Sequence, residues 1–88
     1  MSTYKTALQA EIFGMSKRDF ENRFWYLFLK HPSNGPSTGQ QCAAALAQSR
    51  LDLLPGHYDT LNEAVDRLSM DYEILWAIKR YWEEYRNI

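Results

Sequence analysis

The sequence predicts an all-α protein, a compact bundle of four to five short helices with a helix-turn-helix-like C-terminal hairpin. Three observations favour this fold class. Apolar residues recur at intervals of three and four along most of the chain, which is the spacing of one helical face. Ser, Thr and Asp residues stand where helix N-caps are needed. No alternating apolar and polar runs, which would indicate strands, surround the Asn-Gly dipeptide.

Length and composition set further limits. The 88 residues suffice for one domain, 1–88, and 45% apolar residues are too many for a disordered chain. The net charge of −1 does not favour a partner with a phosphate backbone. Cys42 is the only cysteine, which excludes an intrachain disulfide and suits a reducing cytoplasm. The apolar run Phe24–Leu29 is too short to span a membrane, so we expect a cytoplasmic protein with no membrane partner.

The N-terminal third of the chain predicts two helices. Tyr4, Leu8 and Ile12 share one face of the first helix. A cap at Ser16 begins the second helix, which Pro32 ends. The apolar run within this second segment also fits a buried strand, but the upstream cap favours a helix. The apolar side chains of this helix are Phe20, Phe24, Leu27 and Phe28, with Trp25, Tyr26 and Leu29 beside them.

A loop over residues 31–39, rich in Pro and Gly, separates this N-terminal hairpin from the C-terminal helices. The third helix is expected to start at a cap provided by Ser37 or Thr38 and to continue to Pro55 and Gly56. This segment is rich in alanine, a strong helix former. The small alanine side chains would let a neighbouring helix approach closely.

The last two helices are predicted from their caps. Thr60 and Glu63 have the spacing of a capping box and start a short fourth helix, and Asp71 is placed to cap a fifth. The fifth helix is expected to pack through an aromatic face. The residues of that face are Leu75, Ile78, Trp82 and Tyr85, with Ile74, Tyr81 and Ile88 beside them.

The stretch EAVDRLSMDYEILWAIKRYW, residues 63–82, resembles a helix-turn-helix, in which a sharp turn joins a first helix to a recognition helix. The resemblance implies a small DNA-binding regulator. Residues 8–24 resemble the same spacing less completely. Two partial matches in one short chain indicate that any two amphipathic helices joined by a tight turn approach this spacing, whether or not they bind DNA. The residues that carry the C-terminal resemblance are Ala64, Leu68, Met70, Leu75 and Ile78.

The polar residues of the two matches differ in charge. In the C-terminal match the recognition helix begins with Asp71, Tyr72 and Glu73, whose carboxylates would be repelled by DNA phosphates. In the N-terminal match it begins near Lys17 and Arg18, which are therefore the candidate DNA-binding residues. The alternative is that these two cations form a solvated first turn. Nucleic-acid binding is the second hypothesis for this protein.

No group of residues in the sequence indicates catalysis, a cofactor or a metal site. His31 and His57 are expected in loops, without the spacing of metal ligands. Cys42 lies near a helix N-terminus, where thiol pKa values fall, but the surrounding alanines favour a packed, inert thiol. The segment 33–39 lacks the lysine of a phosphate-binding loop. We expect a protein that is not an enzyme and binds no cofactor.

The excess of aromatic residues predicts a protein-binding surface. Most aromatic side chains are expected in the core, but Trp25 and Trp76 lie off the main apolar stripes of their helices. Arg80 follows Trp76 by one turn and is placed for a cation–π contact. We therefore predict that Trp25, Tyr72, Trp76 and Arg80 bind a protein partner of unknown identity. A small regulator, adaptor or inhibitor fits, whether chromosomal or of phage or plasmid origin, and a homodimer is a candidate assembly.

Overall fold

A computed structural model describes residues 3–32 and 35–85, with side chains from residue 6 onward. These residues form five α-helices, two 3₁₀ turns and no β-strand, which confirms the predicted all-α class and the bundle of short helices. The expected packing of Tyr4 and Ile88 lies outside the described side chains. The helices are α1 (Thr3–Gly14), α2 (Lys17–Arg23), α3 (Thr38–Gln48), α4 (Leu61–Arg67) and α5 (Tyr72–Glu84). The first 3₁₀ turn is Trp25–Phe28 and the second is Leu51–Leu53.

The second predicted helix is shorter than expected. Ser16 caps α2 as predicted, because its Oγ accepts a hydrogen bond from the backbone N–H of Asp19 at 3.1 Å. However, α2 ends at Arg23, and Phe24 leaves the helical conformation with φ −110° and ψ 41°. The single helix predicted as far as Pro32 is therefore wrong, and the first 3₁₀ turn follows the break.

Burial of the aromatic run accounts for this break. In a regular helix Phe24 and Tyr26 would point about 200° apart. After the break, Phe24, Tyr26 and Leu27 are all buried, while Trp25 is 48% exposed. The side-chain amide of Gln48 on α3 donates to the backbone carbonyl of Leu27 at 2.9 Å and so holds the turn against α3. The tertiary environment thus favours a 3₁₀ turn over a continuous helix.

The central helix of the fold is α3, which packs against α4, α5 and both 3₁₀ turns. A capping box of Ser37 and Gln40 begins it. It ends at Gln48, well before the predicted end at Pro55, because Ser49 adopts a left-handed conformation with φ 55°. The small side chains that permit close approach of its neighbours are fully buried: Cys42, Ala43, Ala44, Ala45 and Ala47.

The two C-terminal helices begin at their predicted caps. Thr60 and Glu63 form a capping box, and Oδ1 of Asp71 accepts a hydrogen bond from the backbone N–H of Ile74 at 3.2 Å. Residues 68–71 connect α4 to α5, so the order helix, turn, helix is present. Both helices pack against α3, and α5 also packs against α1. The C-terminal pair is therefore supported by the rest of the bundle.

The N-terminal helices are joined to α5, although the loop 31–39 separates them along the chain. Packing between α1 and α5 is among the most extensive in the fold. Arg23 of α2 pairs with Glu11 of α1 at 2.8 Å and also with Glu73 of α5. Hydrogen bonds to these two carboxylates raise the pKa of Arg23. The buried apolar side chains of both halves form one cluster.

Candidate functional site

An apolar groove runs along the outer side of α5, where that helix meets α3 and α4. Its volume is about 530 Å³. The groove contains Tyr72 and Trp76, two of the residues predicted from the sequence to bind a protein. Its lining comprises Leu46 from α3, Val65 from α4, and Tyr72, Leu75, Trp76, Ile78, Lys79 and Trp82 from α5.

The two sides of α5 have different roles. Ile74 and Ala77 are buried in the core, and Ile78 is buried between the core and the groove. Residues from Tyr72 to Trp82, spaced by three and four, line the groove on the other side. At 1.5 Å per residue this stripe is about 15 Å long. A helix with apolar residues on both sides needs a second partner for the side that leaves the core.

Trp82 is held rigidly at the end of the groove that adjoins α3. The indole N–H of Trp82 donates to the backbone carbonyl of Ala47 at 3.1 Å. Ala47 lies in the last turn of α3, where carbonyls have no partner within their own helix. The hydrogen bond therefore satisfies a helix-end carbonyl and fixes the ring, which stays 41% exposed. The sequence predicts that Trp82 shares a face with Ile78; in the structure Ile78 is buried, whereas Trp82 stays exposed at the groove.

Trp76 forms the floor of the groove between the core and the solvent. Its ring packs edge-to-face against Phe13 of α1, with centroids 6.0 Å apart and planes at 83°. The ammonium group of Lys79 lies 5.5 Å from the centroid of the Trp76 ring. The cation near Trp76 is thus Lys79, and the predicted contact between Arg80 and Trp76 is replaced by this one.

Arg80 is a core residue and lies outside the groove, which corrects its predicted role in partner binding. Its side chain is 4% exposed, and its guanidinium donates to the backbone carbonyls of Ile12 and Met15 at 2.7 Å each. It also pairs with Glu84 at 3.1 Å and lies 4.7 Å from the centroid of the Phe20 ring. The end of α1 needs donors for its last carbonyls, and Arg80 turns inward to supply them.

Trp25, also predicted to bind a partner, is exposed on a different surface. It borders a shallow hollow of about 430 Å³ together with Glu21, Phe28 and Tyr85. This hollow shares no residue with the α5 groove. The ring of Trp25 contacts Tyr26 edge-to-face at 5.8 Å. The structure therefore brings Tyr72 and Trp76 together and leaves Trp25 apart from them.

Lys17 and Arg18, the candidate DNA-binding residues, are exposed in the first turn of α2. The ammonium of Lys17 lies 5.2 Å from the centroid of the Tyr85 ring. Asp19 and Glu21 lie on the same seven-residue helix, and Glu21 accepts a hydrogen bond from the Tyr85 hydroxyl at 2.9 Å. Carboxylates beside the two cations weaken the attraction of this turn for phosphates.

The titratable groups of the described residues do not converge on one point. No group of three or more His, Cys, Asp or Glu side chains among them has the arrangement needed to hold a metal ion. Cys42 is buried in α3, and this burial raises the pKa of its thiol. A thiol whose pKa is raised stays protonated and is a poor nucleophile. His31 and His57 are exposed at separate places in the chain.

No protein-family model matches this chain, and no curated protein or solved structure matches it. Within residues 3–32 and 35–85, no helix has both the length and the apolar character required to span a bilayer. The function is therefore inferred from the groove, which brings the exposed Val65 and Trp82 together with four partly buried apolar or aromatic side chains, Leu46, Tyr72, Leu75 and Trp76.

The sequence interpretation missed six residues that line the groove: Leu46, Val65, Leu75, Ile78, Lys79 and Trp82. One signal for α5 was present in the sequence, because a second stripe of large side chains repeats every three or four residues beside the core stripe. No comparable signal exists for the residues from α3 and α4. They join the surface only because α3 packs against α5 and α4 packs against α3.

Proposed function

We propose that this protein is a small, non-enzymatic regulator, adaptor or inhibitor that binds another protein through the α5 groove. The observation that carries the proposal is a continuous groove of about 530 Å³ whose lining is aliphatic and aromatic apart from Lys79. Val65 and Trp82, at 46% and 41% exposure, leave much of their apolar surface in water. Removing such surface from water is a dominant favourable term in protein association.

The chemistry of the lining favours a protein over other kinds of ligand. Tyr72, Trp76 and Trp82 belong to the residue types that are enriched at interface hot spots. A nucleic acid needs several cations for its phosphates, whereas Lys79 is the one cation among the lining residues that the structure describes. A small polar ligand needs convergent polar groups, and the Trp82 indole N–H is already bonded to a backbone carbonyl.

Val65 is the best position at which to block the groove. It is an exposed aliphatic residue on α4, so a glutamate there places a carboxylate in the groove without opening the core. Leu51 offers a matched control, because it is 58% exposed and lies outside the groove. Trp76→Ala is a poorer test, since Trp76 packs against Phe13 and its loss would also destabilise the fold.

The experiment uses the wild-type protein, Val65→Glu and Leu51→Glu as baits in extracts of the source cells, with mass spectrometry of the retained proteins. We expect both variants to stay within about 0.5 kcal/mol of wild-type stability, because both positions are exposed. A protein retained by the wild type and by Leu51→Glu should bind Val65→Glu about 30-fold more weakly, the effect of losing a hot-spot contact. Equal retention by Val65→Glu, or no protein retained by the folded wild type, would contradict binding through the groove.

A further inference from the structure

Lys79 is the cation that lines the groove, and it forms no ion pair with any carboxylate of the described residues. It is exposed, and its nearest described partner is the face of Trp76. Among the described residues, no carboxylate lies within ion-pair distance of its ammonium group, whereas Arg23, Arg50 and Arg80 each pair with at least one. A binding partner that fills the apolar groove therefore meets the positive charge of Lys79, which lines the groove and lies over the Trp76 ring. Charge complementarity at that point requires a carboxylate on the partner.

The shape of the groove matches a helix. The groove side chains of α5, from Tyr72 to Trp82, form a straight stripe about 15 Å long. A bound helix of about ten residues has the same length and would present apolar side chains at positions i, i+3 or i+4, and i+7. Leu46 and Val65 on the neighbouring helices provide the opposite wall of this channel.

The hydrogen bonds that the occupant's own backbone needs also favour a helix. The groove walls are helices whose backbone hydrogen bonds are made internally, so they offer no strand edge to an extended segment. An extended segment in an apolar groove would leave its own N–H and C=O groups without partners, at a cost of about 1–3 kcal/mol each. A helix satisfies these groups within itself and needs only side-chain contacts.

The helices of a second copy of this chain do not supply such an occupant. The exposed side chains of α1, from residue 6 onward, are polar or alanine. α2 and α4 have seven residues each and are too short to follow the stripe. α3 is buried, and α5 of a second copy could reach the groove only through a symmetric contact that uses the same surface on both subunits. Apart from that contact, which the oligomeric state tests, the described helices point to a different chain as the partner.

We propose that the groove accepts an amphipathic α-helix of a partner protein, whose apolar stripe fills the groove and whose adjacent Asp or Glu pairs with Lys79. This inference rests on the proposed function and specifies its partner. It predicts that Lys79→Glu changes the charge that the groove prefers beside the apolar stripe of its partner. Lys30→Glu is the matched control, because Lys30 is also exposed, the change in net charge is the same, and Lys30 lies outside the groove.

The probe is a displayed library of random peptides about 15 residues long, enough for four helical turns. The library is selected in parallel on the wild type, Lys79→Glu, Lys30→Glu and Val65→Glu. On the wild type and on Lys30→Glu we expect helical spacing of apolar residues with Asp or Glu beside the stripe. On Lys79→Glu, Lys or Arg should replace that acid. A peptide selected on the wild type should bind Lys79→Glu about 10-fold more weakly and Lys30→Glu unchanged.

The other outcomes separate the inference from the function on which it rests. Groove peptides that are blocked by Val65→Glu but lack the acid, bind in extended form or ignore Lys79→Glu would overturn the inference and leave the proposed function standing. Absence of any selected peptide, or equal selection on Val65→Glu, would overturn both. A concentration-dependent dimer in sedimentation equilibrium that Val65→Glu dissociates and Leu51→Glu does not would replace the partner helix by a second copy.

Discussion

Arg80→Met should be among the most damaging single substitutions in this protein. The guanidinium is 4% exposed and donates two hydrogen bonds of 2.7 Å to the backbone carbonyls of Ile12 and Met15. Methionine keeps an unbranched apolar stem but is shorter and has no donor, so both carbonyls would lose this partner. The substitution therefore tests the role of Arg80 in stabilising the fold, and not the partner-binding role that was predicted from its position in the sequence.

The expected loss of unfolding free energy follows from these contacts. Each carbonyl left without a donor costs about 1–3 kcal/mol if it stays buried. The lost contact with the Phe20 ring, at 4.7 Å, adds about 1 kcal/mol. The pair with Glu84 adds little, because that carboxylate is 39% exposed. Since methionine also avoids burying a charge, we expect a net loss of about 3–5 kcal/mol, close to the whole stability of a small domain.

Urea unfolding followed by far-ultraviolet circular dichroism measures this loss. Glu84→Gln is the control for the exposed pair and should cost less than about 1 kcal/mol. Both carbonyl bonds come from Nη1. Arg80→Lys keeps the charge, but its side chain is shorter and lacks the planar guanidinium that lies over the Phe20 ring and bonds to Glu84, so its loss should be intermediate, about 2 kcal/mol. If Arg80→Met stayed within about 0.5 kcal/mol of the wild type, the contacts with α1 would not stabilise the fold and our reasoning would be refuted.

Two further predictions concern pH and DNA. Burial, together with the hydrogen bond to Glu21, raises the pKa of Tyr85 from 10.0 to about 12, so its neutral form is favoured in the folded state. The stability that this pKa shift contributes is present below pH 10 and is lost as the pH rises through about 12. Tyr85→Phe should therefore lose less unfolding free energy than the wild type over this pH range. Urea unfolding at each pH measures the loss, and an equal loss in the two proteins would contradict the prediction. We also expect no salt-sensitive gel shift with random duplex DNA, and a shift abolished by Lys17→Glu with Arg18→Glu would establish the alternative function instead.

The candidate site was partly predictable from the sequence. Tyr72 and Trp76 were expected on a binding surface, and both line the groove. Trp25 was expected to be exposed and is, but on another surface. The sequence could not separate Lys79 from Arg80, because adjacent residues on a helix differ by only about 100° in direction. Their roles differ because α1 presents unpaired carbonyls to Arg80, while Lys79 faces the groove.

The sequence by itself determined the helical class and the helix starts. Capping is a contact between residues three apart, so Ser16, Thr60 and Asp71 reveal their helices without any knowledge of the fold. The aromatic and alanine content likewise indicated a packed core and a close-packed third helix. These features depend on the local chain, where sequence neighbours are also neighbours in space.

Only the tertiary structure decided the break at Phe24, the burial of Arg80 and the existence of the groove. Each depends on contacts between distant segments: Gln48 holds a turn 21 residues earlier, and Arg80 reaches a carbonyl 68 residues earlier. A helical pattern in the sequence shows which side of a helix is apolar, but not which other segment packs against that side. On α5 the core covers one apolar side, and the other side remains open as the groove.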